Sequence, residues 1–482
     1  MRLRFDYGRV IPWVTADDRQ IHAIAGPDLV RLTAPVMLRD QFRETLAEFT
    51  VRAGDRLGFV MSWAPSHDPG MEDADAERAL HATLSFWTDW LGQASYRPGP
   101  YNAAVDRSLV TLKALTYEPT GGIVAAATTS LPEEPGGVRN WDYRYCWLRD
   151  ATYALQALLA AGFRSEASAW RDWLLRSIAG EPEALQVVYS IDGRGRLPET
   201  ELGWLAGYEG SKPVRTGNAA SEQLQLDVWG ETLDALFLAR QAGLEADPDA
   251  WALQVALMNH LESVWDQPDN GLWEVRGDRQ HFTHSKIMAW AAAGRMARSV
   301  RLRGLPGPAP KWEQLRERIH QDVIAQAFNA ERNTFTQSYG SPALDASLLL
   351  IPRVGFLPAT DPRVLGTITA IQRELTENGF VRRYQSTLTD DGLTGSEGLF
   401  IACSFWLVDA LYASGSQQEA IDLFERLLEL RNDVGLLSEE WDPVAHRQLG
   451  NTPQALSHFG LVVSAIQLHM QGPARSDNPM AR

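Results

Sequence analysis

Residues 399–413 read LFIACSFWLVDALYA, apolar at almost every position, while residues 311–323 read KWEQLRERIHQDV, apolar on one side only. The first pattern suits a helix surrounded by protein. The second suits a helix with one wet face. IMAWAAAGRMA (287–297) sides with the first kind. From about residue 103 onward the 3.6-residue period predicts about twelve helices, over 105–117, 148–161, 165–178, 221–241, 248–264, 283–301, 311–328, 343–351, 362–376, 395–413, 417–430 and 453–470. Buried and half-exposed helices alternate. That suggests six hairpins arranged as an inner and an outer ring, a mainly α fold of the (α/α)6-barrel type. The connections are unequal, with long loops at 122–147, 186–220, 267–282, 380–394 and 433–452. Sites usually sit on loops held by a rigid scaffold.

Residues 1–70 read differently. RLRFDYG (2–8), HAIAGPDLVRLTAP (22–35), EFTVRAG (48–54) and RLGFVMSWA (56–64) alternate apolar and polar positions and break at Gly, Pro and Asp. This is a β-strand region too short for a comfortable sandwich, and its strands would leave an edge to be covered. Residues 71–100 follow as a helical linker (helix over 72–97), and 101–482 form the barrel domain.

The formal net charge of −16 repels phosphate backbones and argues against nucleic acid. It suits a neutral substrate, which gains nothing from steering charge. No stretch is apolar for about eighteen residues, so no membrane span is expected. Two cysteines, Cys146 and Cys403, are too few for a disulfide framework, and both sit in apolar–aromatic sequence as buried thiols. The first residues, MRLRFDYGRV, lack the apolar stretch of a signal peptide, and a cytoplasmic location is expected. No His/Cys cluster has zinc spacing, and IDGRGRLP (191–198) lacks the strand–helix context of a phosphate loop. No metal or other cofactor is expected.

Chemistry concentrates in RNWDYRYCWLRD (139–150), which packs four aromatic rings, three arginines and two aspartates into twelve residues. Pyranose faces stack on rings, and hydroxyls need fixed donors and acceptors; an amphipathic helix needs no such density. Glycosidic hydrolysis further requires one protonated and one ionised carboxyl group. Glu274 lies between Trp273 and Val275, and an apolar wall there raises a carboxyl pKa as an acid catalyst needs. Glu439 and Glu440, in LLSEEWDP (436–443), are the candidates for the second. Adjacent loop residues point differently, so one of them faces the cleft. DVWGE (227–231) is a rival Trp–Glu segment, but it sits inside a helical pattern and reads as structural.

Together with GLWEVRG (271–277), RRYQSTLTDDGLTGSEGLF (382–400) and GNTPQALSH (450–458), these motifs resemble glycoside hydrolase family 15. That family holds the glucoamylases, bacterial trehalases and isomaltose-type glucohydrolases. The resemblance runs from about residue 51 to 466. It implies a six-hairpin barrel preceded by part of a larger N-terminal β-sandwich, either as a natural short form or because the start is truncated. It puts the general acid at Glu274 and the base at Glu439, with Glu440 as the alternative. Arg149 and Asp150 match a pair that clamps the terminal glucose. Tyr145, Trp147 and Trp273 would supply ring surface, and Arg383 would contact the same sugar. Trp441 and His458 read as core, and Glu397 as a loop brace. The resemblance also implies an inverting, exo-acting α-glucosidase releasing β-glucose from a small soluble substrate: trehalose, isomaltose or a short malto-oligosaccharide. A phosphorolytic relative, or a carbohydrate-binding relic of the barrel, is the alternative. Oligomeric state has no signature.

Overall fold

The computed structural model describes residues 1–469 except 42, 69, 72, 97–98, 179–181, 246, 387 and 390. The chain divides into two compact units, Met1–Gly92 and Gln93–Arg482.

In the first unit β1 (Trp13–Ala16), β2 (Gln20–Ala25) and β3 (Asp28–Thr33) run antiparallel. β4 (Arg39–Gln41) and β5 (Glu44–Leu46) pair with each other. β6 (Val60–Pro65) returns beside β3, giving the order β1-β2-β3-β6. Ile21, Leu32, Ala34 and Leu38 make a small core. The expected strand EFTVRAG is absent: Arg52 and Asp55 close a turn on each other, with Gly54 at φ +93°, so the segment bends where pairing needs it straight. β1 was not foreseen. Helix α1 (Ala76–Leu91) opens on Asp75, whose carboxylate accepts the Arg78 N–H at 2.7 Å. The expected linker helix over 72–97 is shorter than read, since residues 73–75 and 92–96 are not helical; 72 and 97 lie outside the described residues.

The second unit is helical: α2 (Asn102–Ala114), α3 (Leu148–Ala160), α4 (Ser165–Ser177), α5 (Asp227–Gln241), α6 (Pro248–Val264), α7 (Thr283–Arg303), α8 (Ala309–Ala327), the short α9 (Ile351–Val354), α10 (Pro362–Glu374), α11 (Ile401–Ser414), α12 (Gln417–Leu428) and α13 (Ala455–His469). The helices buried along most of their length, α3, α5, α7, α11 and α13, form a ring. Each packs on the next, α9 with the 3-10 turn before it (Ala346–Leu350) fills the gap between α7 and α11, and α13 closes onto α3. The others are amphipathic and lie outside. For α8, only Ala309, Trp312, Leu315, Ile319, Val323 and Ala327 are buried, the single face its sequence marks. This is the (α/α)6 barrel. Asp-Pro steps start α6 and α10, the Asp capping free N–H groups and the Pro occupying a position that needs none.

Three expected helices are shorter than read. The 221–241 helix begins only at Asp227, because Gln223 and Gln225 turn their amides onto the Glu274 carbonyl and Arg149. The 343–351 helix is mostly 3-10 turn. The 395–413 helix begins at Ile401: Leu399–Phe400 pair as a strand with Glu440–Trp441, and a side chain at Gly398 would meet the Glu440 carboxylate at 3.0 Å. Residue 470, the end of the last expected helix, lies outside the described residues. Cys146 and Cys403 are buried free thiols. Among the described residues, no helix is long and apolar enough to cross a membrane.

Candidate active site

The long loops on one end of the ring converge on a cavity. Trp147, Arg149, Asp150, Trp273, Glu274, Arg383 and Glu439 all line it. Tyr145 and Glu440 are not among the lining residues. The Tyr145 hydroxyl instead accepts the Gly217 N–H at 3.2 Å, in the supporting wall.

Glu274 is mounted on a turn with left-handed backbone, φ +60°, which costs a side-chain-bearing residue energy and persists only where the surroundings enforce it. Its N–H donates to the Gly271 carbonyl at 3.1 Å, and Gln223 holds its carbonyl at 3.1 Å. Gly271 is itself at φ +67°, with the Phe282 ring where a Cβ would lie. The Glu274 carboxylate accepts from the Trp147 indole at 2.5 Å and from Arg149 Nη2 at 3.3 Å. Burial pushes its pKa up; the Arg149 charge and these hydrogen bonds pull it part of the way back.

Glu439 is 1% exposed. Its Oε1 accepts the Tyr143 phenol at 2.7 Å, while Oε2 is buried with no hydrogen-bond partner among the described residues. Gly450 leaves the room for that oxygen: a Cβ there would approach it to 2.6 Å. Burial raises the Glu439 pKa well above the ordinary range and the Glu133 carboxylate raises it further, against Arg383 and the Tyr143 hydrogen bond. Tyr143 and Trp147 meet edge to face, ring centres 5.3 Å apart. The two carboxyl groups are thus joined through one phenol–indole pair and separated by it.

The strand pairing explains why neighbours diverge. Glu440 pairs with Phe400, and successive strand side chains point to opposite sides. Glu440 turns away from the cavity and accepts the Gly398 N–H at 2.7 Å. Arg383 reaches Glu133 at 3.2 Å, pairs closely with Glu397 and lies 4.0 Å from Glu440. Glu133, Glu397 and Glu440 approach one another closely enough to chelate an ion, and the Arg383 guanidinium lies against them. Arg149 is held by Gln225 at 3.0 Å and Asp227 at 3.5 Å, with Asp150 at 3.8 Å from its Nε. Burial lifts Asp150 to about 6. Trp273 donates to Asp345 at 3.0 Å, and its ring lies against Trp406 and Phe400.

The rival Glu231 is buried on α5 with the Tyr153 phenol at 2.8 Å, outside the cavity lining. His458 is core, its Nε2 accepting the Leu437 N–H at 3.1 Å; Trp441 is half-buried, not core. Glu397 braces Arg383 and lies 3.6 Å from Arg139. The sequence reading missed Tyr143, although it stands inside the quoted 139–150 motif. It also missed Trp141, Arg139, Asp391 and Arg276, which line the cavity, and Glu133, which supports it. Glu133 carries no signal: LPEEPGG reads as a surface turn.

The model of glycosyl hydrolases family 15 matches residues 99–466, the greater part of the chain. The chain belongs to that family. It is a glycosidase. Over 478 residues it is 42% identical to a trehalase of Mycolicibacterium smegmatis, covering 96% of this chain and 71% of that protein. A trehalase of Mycobacterium tuberculosis is 40% identical over 476 residues, covering 96% and 70%. A solved bacterial glucoamylase complexed with acarbose superposes with a TM-score of 0.68 at 14% identity, over 93% of this chain and 73% of its own. That likeness concerns the barrel fold.

Proposed function

We propose that this family 15 glycosidase hydrolyses α,α-trehalose with inversion, Glu274 acting as acid and Glu439 as base. The choice of sugar rests on the 40–42% identity to trehalases across 96% of the chain. The roles rest on one observation: two carboxyls on one cavity, Glu439 buried and Glu274 half-buried, joined through the Tyr143–Trp147 pair and flanked by Arg149 and Arg383. Burial raises the Glu274 pKa, the direction that donation to the bridging oxygen requires. Its proton goes to that oxygen as the bond to the anomeric carbon breaks. Glu439 takes a proton from water, whose oxygen attacks the same carbon from the opposite face. Arg149, Asp150 and Arg383 hold the glucose being attacked, with Trp147 and Trp273 as ring surface.

Inversion has a distinct outcome on this disaccharide. The attacked sugar leaves as β-glucose and the other departs with its α configuration. An early proton NMR time course on trehalose therefore shows α and β in equal amounts, before mutarotation. Retention yields α only and refutes Glu439 as a base. Wild-type inertness toward trehalose with release of glucose from isomaltose or maltose refutes the substrate. Glu274→Gln lowers kcat/KM on trehalose by about 10²–10⁴ and spares α-glucosyl fluoride, whose leaving group needs little protonation.

A further inference from the structure

Four arginines line the cavity: Arg139, Arg149, Arg276 and Arg383. The side chains of Arg139, Arg149 and Arg383 are 2%, 7% and 9% exposed and are occupied by buried carboxylates or amides. Arg276 differs. It is 30% exposed and stands two residues beyond Glu274, whose own side chain is 23% exposed. Depth therefore runs from Arg149 and Arg383 on the floor, past the acid, to Arg276 at the mouth. In a blind pocket the glucose being attacked occupies the floor, the acid stands at the scissile oxygen, and the leaving sugar lies toward the mouth.

Arg276 is also held rigidly. Its Nη1 and Nη2 fork onto Glu199 at 3.1 and 2.7 Å. Its guanidinium carbon lies 4.5 Å from the centre of the Trp141 ring, as does that of Arg215. Arg215 in turn secures Glu199 at 3.5 Å and the 138 and 140 carbonyls at 2.9 and 3.1 Å. The Trp141 indole donates to the buried Glu133 at 2.9 Å. Guanidinium carries five N–H donors. Those not given to Glu199 have no acceptor among the described residues. A planar donor group is thus fixed in advance at the mouth, on the leaving-group side of the acid. Such fixing lowers the ordering cost of binding, and a bidentate donor suits a pair of neighbouring hydroxyls.

We infer that Arg276, clamped by Glu199 against Trp141, recognises hydroxyls of the leaving sugar and sets the preference for a disaccharide over glucosides lacking a second sugar. This rests on the reading of Glu274 as the acid and deepens it.

The test compares trehalose with α-glucosyl fluoride, which has no leaving sugar. Arg276→Ala lowers kcat/KM on trehalose by about 10–100-fold, through loss of charge-assisted hydrogen bonds. It leaves the fluoride within about threefold. Arg276→Lys, which keeps the charge and loses the fork, recovers only part of the loss. Glu199→Gln shifts both substrates in the same pattern, less strongly. Equal losses on the two substrates, or full recovery by lysine, overturn the proposal, since Arg276 would then act through the field on Glu274. A trehalose loss below threefold overturns it as well. If the wild type ignores trehalose but cleaves another α-glucoside, the substrate reading falls, and the same two arms, with that glucoside in place of trehalose, still decide Arg276.

Discussion

Replacing Tyr143 by Phe removes one oxygen and leaves the ring against Trp147. The phenol is the hydrogen-bond donor to Glu439 Oε1, at 2.7 Å, and the other carboxylate oxygen has no partner among the described residues. At 1% exposure the carboxylate is shielded from bulk solvent. A hydrogen bond to a charged group contributes about 1.5–3 kcal/mol. Assigned to the ionised form alone, it holds the Glu439 pKa down against the burial that raises it. The base works only when ionised, so activity falls as pH drops through this pKa. Raising the pKa moves the acidic limb of kcat/KM to higher pH. The loss is thus largest on the acid side and smallest on the alkaline plateau. The assay is kcat/KM for trehalose against pH, wild type beside Tyr143→Phe. An acidic limb that stays in place while the whole profile sinks refutes the reasoning, and assigns Tyr143 to packing.

Other consequences concern stability. At position 274, Gly is expected to be more stable than Ala by about 1 kcal/mol, the reverse of the usual order, because the left-handed backbone favours the residue without a Cβ. Denaturant unfolding of Glu274→Gly and Glu274→Ala measures this; equal stabilities refute the strain. Asp269, away from the cavity lining, accepts the Leu226 N–H at 2.8 Å and the Ser285 hydroxyl at 2.6 Å, and burial raises it from 3.8 to about 7. A carboxyl raised on folding stabilises the fold below its unfolded pKa, and that contribution disappears as pH rises through the folded value. The melting temperature is therefore expected to climb as pH falls from about 8 toward 5, and Asp269→Asn is expected to flatten the climb. A profile unchanged by Asp269→Asn contradicts this assignment.

The barrel was legible because burial follows helix periodicity. α6 and α8 carry their apolar residues on one face, and α11 is apolar all round. Errors cluster where a polar side chain has a tertiary partner. Gln223 and Gln225 look like helix surface, yet they hold the acid's turn and Arg149. GSEG (395–398) looks like a helix start, yet Gly398 must pass close to Glu440. In the site, motif density pointed to the 139–150 segment but not to the choice of Tyr143 over Tyr145. That choice depends on the strand pair Cys146–Trp147 with Val188–Tyr189 and on Gly217, features distant in sequence. The first unit was less legible because short strands with a core of four residues carry little pattern.

Three indoles that line the cavity each donate their N–H to a different carboxylate: Trp141 to Glu133, Trp147 to Glu274 and Trp273 to Asp345. An excited indole is sensitive to a proton on the group it touches. The cavity therefore carries its own optical indicators, one of them on the acid itself. The chain has 17 tryptophans, so the difference in emission against pH between the wild type and Trp147→Phe isolates the indicator that reads Glu274.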